Sequence, residues 1–211
     1  MSIFLQLAQT DTVYFFSWVI IVTFSICVHE YAHAVTALKL GDDTAAQAGH
    51  LTLNPLVQMG WPSLAALLIM GIAWGAVPVS PYLSTRKSAL VSFAGPLSNL
   101  ILCVVFALAS VIASVLSAGE PVIQFVHMAA VANAMLFVFN MLPIPMLDGW
   151  QVYALAIPAM NQIDRMQSGN LSWTLIIIVC VTPIIDVVWG VADVIAGSVV
   201  RMWSGVFAVL A

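Results

Sequence analysis

The sequence predicts an all-α polytopic membrane protein with a small membrane-associated segment that is either β or re-entrant, and three observations carry that prediction. Of 211 residues, 63% are hydrophobic and 7% charged, against about 25% charged in an ordinary soluble domain. Mean hydropathy is +1.08. Several apolar runs are long enough to cross a hydrocarbon core of about 30 Å, and Gly, Pro and polar clusters separate them.

The first run, Val13 to Val28, keeps its helical pattern to about Leu40, and Gly41 supplies a stop signal. No basic stretch precedes it and no small-residue cleavage site follows, so a removed signal peptide is not expected. Gly41 to Pro55 is polar and contains the alternating Leu51-Thr52-Leu53, which reads as a loop with a short strand. Trp61 to Val77 is apolar but short and bounded by Pro62 and Pro78, so it is a short span or a re-entrant hairpin. Pro78 to Lys87 reads as an extended loop. Ala89 to Leu116 is a strong span, interrupted early by Gly95-Pro96, and Val122 to Met141 is another. Trp150 to Met160 is a shorter apolar stretch, and Asn161 to Asn170 is aqueous. Leu171 to about Trp189 is a further span containing Pro183 and Asp186, and the last twenty residues form a span or an interfacial helix. The whole chain is expected to be one integral membrane domain, with a core over about 12–160 and a helical segment over 171–211.

The net charge of −4 is diffuse. With no basic patch, nucleic acid is not an expected partner; the bilayer is. Cys27, Cys103 and Cys180 lie far apart in apolar runs with no C-x-x-C spacing, and they read as small buried hydrophobes. Lys39, Arg86, Lys87 and Arg165 flank apolar segments. If 61–77 is a hairpin, all four fall on one side, which the positive-inside rule makes cytoplasmic.

Chemistry concentrates in His29-Glu30-Tyr31-Ala32-His33, an H-E-x-x-H pattern late in the first run. With four His in the whole chain, and Glu only at 30 and 120, chance would produce it in about one chain in a thousand of this composition. On a helix of 3.6 residues per turn, positions 29 and 33 lie about 40° apart and can reach one ion. An ionisable group at membrane depth is costly and marks a functional site. Catalytic zinc takes three protein ligands and keeps a position for water. Asp148, in the Pro-broken segment Asn140–Gly149, fits as the third; the competing reading makes it the cap of the next helix. Such a site would let Glu30 act as general base on a zinc-activated water. Asn99 and Asn133 read as helix-packing residues, and His50 and His127 lack ligand spacing. Asp186 and Asp193 share one face of a late helix.

HEYAH, then LGDDTA and LTLNPL, then FAGPLSN, then NMLPIPMLDG, occur in the order and spacing of the site-2 protease family. Residues 15 to 160 are similar to the compact bacterial and archaeal members of that family of intramembrane zinc metalloproteases, without an appended PDZ or CBS domain. The resemblance implies a catalytic core of three transmembrane helices at about 12–40, 88–117 and 122–142. It implies one Zn2+ held by His29, His33 and Asp148, Glu30 as base, and Asn140 positioning substrate or stabilising the oxyanion. The loop over 45–57 would resemble the family's membrane-associated sheet, and Thr52 and Asn54 are candidate substrate-binding residues there, pairing with an unwound substrate. Expected substrates are single-span membrane proteins or remnant signal peptides, cut in a bacterial cytoplasmic membrane with the active site toward the cytoplasm. Two departures, Trp150 after LDG and His50 before LTLNP, remove neither a ligand nor the base. The competing functions are a non-catalytic metal-binding membrane protein, such as a transporter or sensor, and a catalytically dead scaffold. No internal repeat supports a carrier, and the complete HExxH and Asp argue against the scaffold.

Overall fold

The structure is a computed structural model that describes residues 3–162 and 169–210, and it falls into two compact units, 1–83 and 84–211. The polar stretch expected over 161–170 therefore lies largely outside the described residues, Arg165 included.

The first unit is built on α2, Thr12–Lys39, about 42 Å long at 1.5 Å per residue and so longer than a hydrocarbon core. Asp11 caps it by accepting a hydrogen bond from the Tyr14 amide at 3.0 Å. It ends where Gly41 turns the chain with φ +90°, a conformation that suits glycine. A short α1, Ile3–Thr10, precedes it, and α3 (Thr44–Gln47), α4 (Pro55–Gln58) and α5 (Gly60–Met70) follow. Val22, Ile26 and Cys27 pack with Met59 and Leu67. That contact holds α4 and α5 against the middle of α2 and leaves the stripe at His29 and His33 further along. At 11 residues, α5 is about 16 Å long, too short to cross. Gly71, at φ +76°, ends it, and residues 72–80 carry no regular secondary structure.

Among the described residues there is no β-strand, which corrects the expectation of a strand within 45–57. The reason is visible in Gln58, which is 1% exposed. Its Nε2 donates to the carbonyls of His50 and Thr52, and its Oε1 meets His50 Nδ1 at 3.1 Å. Carbonyls two residues apart are those an added strand would bond, and one buried side chain has taken both. Asn54 caps α4 through its Oδ1 and the Leu56 amide, while Thr52 Oγ1 accepts from the Asn54 amide at 3.2 Å.

In the second unit α6 (Thr85–Val115) and α7 (Glu120–Asn140) form the main pair. α6 continues across Gly95-Pro96, where the sequence suggested an interruption. Ala107, Ala129, Ala130 and Ala134 are fully buried; such small side chains let transmembrane helices approach closely without a hydrophobic drive between them. Asn99 and Asn133, both fully buried, join the two helices: Asn99 Nδ2 donates to Asn133 Oδ1 at 3.0 Å, and Asn133 Nδ2 to the Ala129 carbonyl. The packing role read for both is what they perform. Next come α8 (Asp148–Tyr153) and a 3-10 turn at Pro158–Gln162. The late span is broken into α9 (Gly169–Val181) and α10 (Ile184–Leu210), bent by 73°. Pro183 sits at that break, and proline has no N–H to continue a helix. Cys27 and Cys103 are buried as expected, but Cys180 is exposed.

Candidate functional site

In the first unit the buried positions Val22, Ile26, His29, His33 and Ala37 form one stripe of α2, with the spacing of a helix face. His29 and His33 are 6% and 7% exposed, and their Nε2 atoms face each other 3.0 Å apart, with the ring planes nearly perpendicular. Two nitrogens bound at about 2.0–2.1 Å in a tetrahedral zinc site stand about 3.4 Å apart. The facing pair therefore fits a common divalent ion. Glu30, one step around the helix, is also buried, at 6% exposure.

Over Glu30 runs the segment that follows α5. Each part of it is tied. Trp18 Nε1 donates to the Gly71 carbonyl at 2.9 Å. Buried Ser63 bonds Trp74 twice, donating to its carbonyl at 2.6 Å and accepting from its amide at 2.8 Å. The Ala76 amide donates to the Gln58 carbonyl at 3.1 Å, and the Ser80 amide to Asp42 Oδ2 at 2.8 Å. Burial disfavours the charged form of Asp42, but bonds from the Thr44 hydroxyl, the Ser80 amide and the Thr44 amide outweigh it. Its carboxyl is held below the usual range.

In the second unit Asp148 is the first residue of α8, and the cap position belongs to Leu147, with no side-chain cap bond. Asp148 is half-buried at the start of that helix. The segment leading to it carries Pro143 and Pro145, and it is anchored by Ile144 and Leu147 packing with Val179 and Val188. The late helices thus hold the loop that presents Asp148. Gly149 explains the residue after it: a Cβ there would lie 2.5–2.9 Å from backbone atoms of Met141 and Leu142. Asn140 Nδ2 donates to the Leu136 carbonyl at 2.9 Å, within its own helix. Thr52 and Asn54 spend their side chains on the α4 cap.

Sequence reasoning did not find Gln58 or Gly75 as organisers of the site. Gly75 was visible as a glycine inside an apolar run, but that signal has many ordinary readings.

The sequence pattern of peptidase family M50 matches residues 111–183. The chain is 31% identical over 202 residues to the Bacillus subtilis protein named "Putative zinc metalloprotease YwhC", covering 90% of this chain and 91% of that one. It is 32% identical over 213 residues to "Putative zinc metalloprotease Rip2" of Mycolicibacterium smegmatis, covering 87% and 79%. Against the Mycobacterium tuberculosis H37Rv protein of the same name it is 37% identical over 139 residues, covering 60% of this chain and 51% of the other. No solved structure matches. Long apolar helices, the facing histidine pair and a relative at 31% identity matched over 91% of its length lead to one assignment: the chain belongs to peptidase family M50, the site-2 protease family of intramembrane zinc metalloproteases.

Proposed function

We propose that this protein is a zinc endopeptidase that cuts peptide bonds in or beside transmembrane segments, with His29, His33 and Asp148 as the zinc ligands and Glu30 as general base. The single observation that carries this reading is the facing, buried Nε2 pair of His29 and His33 with a buried carboxylate at Glu30 beside it. His29 and His33 each offer an imidazole nitrogen and Asp148 a carboxylate oxygen, the donor set of a catalytic zinc with one position left for water. Asp148 is further supported by its place as the first residue of α8, directly after the Pro-broken segment.

Bound there, zinc supplies Lewis acidity, bringing the pKa of a coordinated water toward neutrality and polarising the scissile carbonyl. Glu30 accepts the proton of the attacking water and returns it to the leaving nitrogen. Burial of Glu30 keeps bulk water from competing for that proton. Asn140 is the candidate for the developing oxyanion; it has a second amide hydrogen beyond the one given to Leu136.

The substrate class we propose is single-span membrane proteins or remnant signal peptides, in a bacterial cytoplasmic membrane. Lys39 ends α2, and Arg86 and Lys87 begin α6. The helix between them is too short to cross, so these charges fall on one side. The positive-inside rule makes that side, and the active site near it, cytoplasmic.

The test is zinc content and cleavage of single-span model substrates by purified protein in detergent, for wild type and Glu30→Gln. Zinc in both with cleavage by wild type alone is expected, with a loss of at least about a hundredfold in the variant. Absence of zinc from both would overturn the ligand assignment, and equal cleavage by both would remove Glu30 as base.

A further inference from the structure

Gly75 stands directly against the Glu30 side chain. A Cβ built on Gly75 would coincide with Glu30, whose Oε1, Cγ and Cδ are the three nearest atoms to it. Glycine is not required there by the backbone: the glycines with positive φ are 41, 49, 60 and 71, and Gly75 is not among them. What the position demands is the absence of a side chain. The peptide on either side is fixed, because Trp74 is bonded twice to Ser63 and Ala76 donates to Gln58. Ser63 and Gln58 are 0% and 1% exposed, so the neighbouring anchors are themselves immobilised by packing. A clamped, non-helical backbone therefore lies flush against the carboxylate arm of a residue on α2.

We propose that Gly75 is a positioning residue for catalysis: its bare backbone, clamped at Trp74 and Ala76, fixes where the Glu30 carboxylate stands. The idea rests on the reading of Glu30 as the base. A methyl group at 75 meets a flexible side chain rather than backbone, so Glu30 turns away while the fold persists. The clamp is within the first unit and leaves the His29–His33 pair untouched. The loss therefore falls on the chemical step and not on metal content.

The experiment uses full-length protein in detergent and reads two quantities. In the first, Gly75→Ala keeps wild-type zinc content, lowers kcat at least about tenfold, as expected for a displaced general base, and leaves KM within about twofold. In the second, thermal unfolding of zinc-depleted protein is followed for wild type, Gly75→Ala, Glu30→Ala and the double variant. Gly75→Ala lowers the midpoint by about 2 °C or more when Glu30 is present, and by much less when Glu30→Ala has removed the obstructing atoms. Equal midpoint shifts in both backgrounds would show that no such contact exists. Coupled midpoints with unchanged kcat would reduce Gly75 to packing and overturn the proposal. Wild type that cleaves no substrate would instead strike the peptidase reading, while the midpoint cycle still decides whether Gly75 sets the position of Glu30.

Discussion

Replacing Gly149 by alanine is the most direct perturbation of the acidic half of the site. The added Cβ would sit 2.5 Å from the Met141 carbonyl oxygen, 2.6 Å from its carbon and 2.9 Å from the Leu142 oxygen. Ordinary contact begins near 3.4 Å, so the shortfall is about 0.9 Å at the tightest atom, on the steep wall of the van der Waals potential. The obstructing atoms are backbone at the end of α7 and cannot rotate away. Either α8 or the end of α7 must move by roughly that amount, at an overpacking cost of about 1–3 kcal/mol. Asp148 is the neighbouring residue and shifts with α8. Zinc–oxygen bonds tolerate about 0.2 Å around 2.0–2.2 Å, so a displacement several times larger should weaken zinc binding by about 10–100-fold, the range seen when groups supporting a ligand are lost. The assay is zinc affinity by chelator competition, with thermal unfolding in parallel. Gly190→Ala is the control, since nothing lies within 4 Å of a Cβ there and alanine is the better helix former. Wild-type zinc affinity in Gly149→Ala would refute the reasoning that this glycine seats Asp148.

Two further outcomes are expected. Asn99→Ala and Asn133→Ala should be coupled by about 0.6–1.7 kcal/mol, the range for interhelical hydrogen bonds in membranes, since they share the 3.0 Å bond between α6 and α7; a double-mutant cycle on unfolding midpoints that sums to zero coupling would contradict this. Asp42 ties Ser80 and titrates below the usual carboxylate range in the folded protein. Its stabilising contribution is therefore fully present above about pH 3.9, the unfolded value, and is lost as pH falls through the lower folded value. Asp42→Asn should flatten that acid limb of the unfolding curve, and parallel curves for the two proteins would show that the carboxylate is not responsible.

The spans were legible because lipid and helix geometry impose long apolar runs. The apolar runs at Val13 to about Leu40, Ala89–Leu116 and Val122–Met141 correspond to α2, α6 and α7 within a few residues. The His pair was legible because a spacing of four residues acts within one helix. What escaped the sequence depended on partners distant along the chain. The alternating Leu51-Thr52-Leu53 has strand character locally, yet Gln58 captures the carbonyls that a ladder would need. Asp148 taken alone read as a cap or as a ligand, and HEYAH favoured the ligand; that it stands as the first residue of α8, one past Leu147, is a product of the fold. Pro96 and Pro183 look alike in sequence, but the first is carried inside a helix and the second breaks one.

By itself, then, the sequence determined the membrane class, the main helices and the residue types of a zinc peptidase site, because periodicity and ligand spacing are local properties of the chain. The tertiary structure decided how those residues are held. Gly75 against Glu30 and Gly149 against Met141 are distinguished from other glycines only by what folding brings within van der Waals distance.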